Sequence, residues 1–118
     1  YLERWPDSDI DSQPKFTHYV VVRTDVPFGV QAAQLIHAAG ESFKGPSIRG
    51  SPVYAVALAA RTEADLLRLE QKLVNADVAH QAIREPDAPF NGELMAIGIK
   101  PINRDQVKKF VKKFTLIK

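Results

Sequence analysis

The segment THYVVVRTDVPFGVQAAQLIHAA, residues 17–39, changes its hydrophobic period within a few positions. Residues 17–24 are rich in β-branched and aromatic side chains. Positions 19–22 are apolar without a break, which predicts a central strand covered on both faces. Positions 25–29 carry Pro27 and Gly29 and read as a loop. From Val30 to about Phe43 the pattern is helical. Ala32, Ala33, Ala38 and Ala39 favour helix and let another backbone come close. Gln34 and His37 are three residues apart and share a face, which Glu41 extends by a turn. The expectation is strand, short loop, then a helix packed tightly on one side with a polar row on the other.

The same alternation continues downstream. VYAVALAA, residues 53–60, predicts a second strand. Thr62 is placed to cap a helix, with Glu63 and Asp65 complementing the positive end of its dipole. Leu66, Leu69 and Leu73 form its apolar stripe, widened by Leu67 and Val74. Residues 78–84 predict a third strand, 85–92 a loop with two prolines and Asn91-Gly92, and 93–100 a fourth strand. Asn103 is expected to cap a last helix running to about Lys113, and residues 114–118 to end as a short strand or tail. The order β-α-β-α-β-β-α predicts an α/β fold: a single three-layer domain with a mixed sheet of four or five strands flanked by helices. Both β-α-β crossovers should be right-handed. The short link between the third and fourth strands allows an antiparallel pair. Residues 1–15, with Pro6, Pro14 and several aspartates and serines, read as an acidic extended tail, which leaves 16–118 as the domain.

A chain of 118 residues is about one domain and can bury a core without staples. The absence of cysteine excludes a disulfide framework, a thiolate nucleophile and a cysteine zinc site. No apolar run reaches the ~18 residues of a membrane span, and the sequence does not open on a basic and then apolar leader, so cytoplasmic residence is expected. The net charge of +2 hides an asymmetry: residues 1–14 carry a net −3 and residues 100–118 a net +6. A basic C-terminal segment suits phosphate contact, and a solvated lysine face explains it equally well.

Glycine-rich nucleotide loops, the Gly-x-Ser-x-Gly elbow and His-Glu-x-x-His are all absent. No spacing suggests a metal site. His18 and His80 fall inside predicted strands and read as satisfied structural histidines. Asp25 stands just past the first strand, at the carboxyl edge where open α/β sheets bind ligands. The helix that follows adds free N–H groups, which favour an anion. His37 lies two turns further on. It is either part of that site or a buried histidine bracing the helix through a backbone carbonyl.

These residues carry a resemblance. Val20-Val-Val-Arg-Thr-Asp25, then Gly29-Val-Gln-Ala-Ala-Gln-Leu-Ile-His-Ala-Ala39, resembles the opening of the class 2 peptidyl-tRNA hydrolases. That family reads V-V-R-x-D-L, a short loop, then G-K-x-A-A-Q-x-x-H-A-A. Residues 62–67, TEADLL, resemble its D-E-x-x-L helix start, and residues 107–118 are similar to the close of the eukaryotic peptidyl-tRNA hydrolase domain-containing branch. The resemblance covers about residues 17–118. It implies a mixed sheet flanked by helices, often as a homodimer. It implies hydrolysis of the ester joining a peptide to the 3′ ribose of tRNA, with tRNA as partner and no cofactor.

By the same resemblance Arg23, Asp25, Gly29, Gln34 and His37 occupy family motif positions. Ester cleavage by water needs a base or water-positioning group and a group to steady the oxyanion. Asp25 or His37 is the candidate for the first role, and Gln34 with helix N–H groups for the second. Arg23, Lys44 and Arg49 are candidates for the substrate phosphates, and Gln31 for a further substrate contact. Two positions depart from the family. Its lysine after the glycine, which binds phosphate or takes part in catalysis, is Val30 here. Its Asp-Ala-Gly and Thr-Gln between the last strands become EPDAPFNG, residues 85–92, where Asp87 or Glu85 stands in for the aspartate. Valine cannot replace an ammonium group at a phosphate or oxyanion. A second expectation is therefore a catalytically weak or inactive module of the same fold that binds RNA or protein. Phe110 and Phe114 lie among lysines, as stacking residues would, but their four-residue spacing reads as core-facing.

Overall fold

The computed structural model describes residues 16–43 and 53–117. The expected tail over residues 1–15, and Lys44 and Arg49, lie outside the described residues. The elements are β1 (Phe16–Arg23), α1 (Phe28–Ser42), β2 (Val53–Ala60), α2 (Glu63–Asn75), β3 (His80–Glu85), β4 (Glu93–Ile99), β5 (Ile102–Asn103), a 3₁₀ turn (Arg104–Gln106), α3 (Lys108–Val111) and β6 (Thr115–Leu116). The sheet order is β3-β4-β1-β2-β6, with β5 beside the start of β1. β1 and β2 are parallel, while β4 is antiparallel to both β1 and β3, so the sheet is mixed as expected. The two-residue strands β5 and β6 bring it to six.

Alternation along β1 explains its unbroken apolar run. Val20 and Val22 pack with Ala38 and Ala96 under α1. Val21 packs with Leu58, Leu66, Leu69 and Leu73 under α2. Successive side chains enter opposite cores, so every position must be apolar. In α2, the Thr62 hydroxyl accepts from the Asp65 N–H at 3.4 Å, and Leu66, Leu69 and Leu73 are fully buried.

The small residues of α1 meet a small residue of the sheet. A methyl group placed on Gly98 of β4 would collide with the Ala38 carbonyl oxygen and the Ser42 hydroxyl, with Ser42 Cβ at 2.7 Å. Glycine at 98 and alanine at 38 thus let the helix backbone lie directly on the strand. Nearby, Ser42 Oγ donates to Ala38 O at 2.6 Å, which uses its one proton. The His18 Nε2 at 2.7 Å is therefore the donor to Ser42 Oγ. The ring also meets Phe43 edge-on, with centroids 5.2 Å apart. His80 Nδ1 lies 2.7 Å from Val78 O. Both histidines are structurally engaged.

Burial pushes the His18 pKa below its ordinary value, so the folded chain holds the neutral ring. The unfolded chain takes up a proton at about pH 6.5, while the folded chain does so only at lower pH. This contribution to stability is complete above about pH 6.5 and is lost as pH falls through the folded value. Thermal unfolding followed from about pH 8 to 5 should show Tm falling on the acid side. His18→Gln should lack that component of the fall; an unchanged acid limb would remove His18 from it.

Local geometry differs from the sequence expectation in three places. Asp77 adopts φ 57°, and its N–H and that of Val78 bond back to Val74 O and Leu73 O at 3.1 and 2.9 Å. This left-handed stop consumes Val78 as the end of α2, so β3 begins at His80. In the β3–β4 pair, Ile83 faces Ala96 while Arg84 faces Leu94, which leaves Met95 as an extra residue. The bulge turns Leu94 into the α2-side core, and its N–H donates to Glu63 Oε2 at 2.9 Å. The last helix is also shorter than expected. Asn103 Oδ1 does accept from the Asp105 N–H at 3.0 Å, but it caps a 3₁₀ turn. Val107, at φ −126° and ψ −9°, breaks helical geometry before the single turn of α3. Phe110 and Phe114 pack on the α2-side core, as their spacing predicts.

Candidate active site

β1 ends on Arg23, which is only 8% exposed. Its Nε and Nη2 donate to the two oxygens of Asp25 at 2.7 and 2.9 Å, and its Nη1 donates to Glu93 Oε1 at 2.7 Å. A buried guanidinium is tolerated only with such pairing. The hydrogen bond from Arg23 is the main force holding the Asp25 carboxyl below its usual range. The carboxylates in turn hold Arg23 well above its usual value, chiefly through the bond to Asp25. Asp25 is thus ionised with both oxygens taken by Arg23, a geometry suited to bracing the strand end. Gln31 acts locally as well. Its Nε2 donates to Val26 O at 2.8 Å and lies 3.4 Å from Thr24 O, clamping the β1–α1 loop.

That loop delivers α1 with an open first turn. Pro27 occupies the cap position without a side-chain acceptor, and Val30 and Gln31 N–H both bond to Pro27 O at 3.0 Å. The N–H groups of Phe28 and Gly29 have no intrahelical acceptor. Beside them is a cleft of about 280 Å³ lined by Gly29, Val30, Ala33, Gln34, Glu85, Ala88 and Phe90. Gln34 is 7% exposed, and its Oε1 is fully buried with no hydrogen-bond partner among the described residues. A buried amide oxygen left so carries a cost of about 1–3 kcal/mol, which marks this position.

A second groove of about 310 Å³ adjoins it, lined by His37, Glu41 and residues 81–86. His37 is exposed on α1 one turn beyond Gln34, and Glu85 borders both depressions. Gln34 and Glu85 thus line the first depression and His37 and Glu85 the second, while Arg23 and Asp25 form a separate cluster at the end of β1. Asp87 is exposed in the β3–β4 loop and lines neither depression. Sequence reasoning missed Glu93 and Phe90. Glu93 was recoverable in principle, because an antiparallel β4 brings its first residues beside the last of β1. Phe90 lies in an irregular loop that gives no periodic signal.

A family model described as Peptidyl-tRNA hydrolase PTH2 matches residues 16–117. The chain belongs to this family. A comparison with curated protein sequences finds no match. The activity that names the family is hydrolysis of peptidyl-tRNA. Compared with the motif of class 2 peptidyl-tRNA hydrolases, the cleft has Val30 on its wall in place of an ammonium group. Among the described residues, no helix is long and apolar enough to cross a membrane, and no three His, Asp or Glu side chains are grouped to hold a metal ion.

Proposed function

We propose that this chain hydrolyses the ester bond of peptidyl-tRNA or N-blocked aminoacyl-tRNA, releasing free tRNA and peptide in the cytoplasm, with residues 16–118 as the working domain. The observation that carries the reading, beside family membership, is the Gln34 side chain in the cleft at the open start of α1, held with its Oε1 buried and without a hydrogen-bond partner among the described residues. In this reading the Gln34 Nε2 and first-turn N–H groups donate to the ester carbonyl oxygen. The negative charge that grows there is met by fixed donors and the positive helix end. His37 takes a proton from water as the water oxygen bonds to the carbonyl carbon. The bond to the ribose 3′ oxygen then breaks, and His37 returns the proton to that oxygen. Arg23 and Asp25 act at one remove, by holding the strand end and loop that aim α1. A homodimer belongs to the same proposal. The exposed Phe28 and Ile36, each 75% accessible, accord with it.

Val30 favours a second reading, a module that binds tRNA without efficient cleavage. Release of tRNA from N-acetyl-aminoacyl-tRNA separates the two. Turnover is expected, with His37→Ala lowering kcat by about a hundredfold. Asp25→Asn should lower it by about tenfold through loss of the charge-assisted pair with Arg23. Salt-sensitive tRNA binding without turnover would establish the second reading, and neither binding nor turnover would leave only the fold.

A further inference from the structure

We infer that the groove beside the cleft seats the peptide of the substrate as an added strand on the free edge of β3; this rests on the hydrolase reading above. β3 ends the sheet, with β4 on one side and no described strand on the other. The groove is bordered by five consecutive residues of the strand, 81–85. Strand side chains alternate between faces, so a groove lying on one face would meet every second residue. Here Ala82 belongs to the core under α2, and Ile83 to the core under α1. Arg84 sends its guanidinium to Glu70 of α2 at 2.8 and 3.1 Å. All three nevertheless border the same groove as His37 of α1. Residues of both faces meet in one groove only along the strand's edge, where outward N–H and C=O groups lack a ladder partner.

The chemistry of that edge selects its occupant. An extended peptide carries donors and acceptors at strand spacing and pairs through its main chain whatever its side chains. That indifference suits an enzyme whose substrates carry many peptide sequences. A nucleic-acid strand has no such repeat, and its phosphates would face the Glu85 carboxylate. Glu85 also borders the Gln34 cleft, so a peptide paired along β3 has its ester end led toward Gln34. The six residues of β3 span about 20 Å at ~3.3 Å each, enough for roughly four peptide residues.

The test compares N-acetyl-aminoacyl-tRNA, a tetrapeptidyl-tRNA, and the same tetrapeptide with its inner amides N-methylated. The tetrapeptide should lower KM by about tenfold, the worth of two or three backbone hydrogen bonds, with kcat little changed. N-methylation should abolish the gain. A KM that ignores length, or falls equally for the N-methylated peptide, overturns the inference while turnover of the short substrate keeps the hydrolase reading. If none of the three is cleaved, the hydrolase reading fails. Titration with a free blocked tetrapeptide then judges the edge alone: amide shifts at Gln81–Glu85 support it, and their absence overturns it.

Discussion

Gln34→Met should lower kcat for N-blocked aminoacyl-tRNA by the order of 10²–10³-fold while making the fold more stable. The first half follows from the proposed mechanism, in which the substitution removes a donor to the oxyanion. The second follows from burial. The wild-type Oε1 is inaccessible and has no hydrogen-bond partner among the described residues, so the folded chain bears a desolvation cost that a thioether of similar shape does not incur. Helix propensity is nearly unchanged, so the gain should be about 1 kcal/mol by denaturant unfolding. Opposite signs on activity and stability distinguish a functional amide from a structural one. A variant that unfolds more easily yet cleaves at the wild-type rate would make Gln34 a structural residue. KM should move little, because the bond strengthens as charge develops.

Gly98→Ala should cost about 3 kcal/mol, near the upper end for overpacking by a single methyl group. The added carbon meets the Ala38 carbonyl, which is helix backbone, and the Ser42 side chain, which already bonds Ala38 O and His18. A flexible side chain could swing away, but here the whole of α1 must lift from β4. In a chain of this length Tm should drop by about 10 °C or more. Gly98→Ala combined with Ser42→Gly should recover only part of the loss, since the carbonyl stays in place. Full recovery would show that the serine alone sets the contact. Lifting α1 also displaces Gln34 and His37 from Glu85, so activity should fall below what the folded fraction explains.

Much of this architecture could be read from local pattern. The positions of β1, β2 and α2, the Thr62 cap and the leucine stripe each follow from rules that act within a few residues: period, branching, capping and charge at a helix end. The resemblance over β1 and α1 singles out Gln34 and His37 as candidates from sequence alone. What local pattern misjudged was local geometry under tertiary pressure. Val78 has strand propensity, yet its N–H closes α2. Residues 104–113 have the composition of one helix, yet Val107 leaves helical geometry and is fully buried in the core under α2.

The site divides in the same way. Sequence by itself established that a strand, a loop and a helix would present Arg23, Asp25, Gln34 and His37 in order, because neighbours in a chain stay neighbours in space. It could not say that Arg23 would take both oxygens of Asp25 together with Glu93, seventy residues away in the chain. Nor could it say that Glu85, and not Asp87, would border the cleft, or that α1 would settle on Gly98. Those outcomes belong to the folded chain, because they depend on which distant backbones approach closely enough to exclude water and on which polar groups are then left with a partner.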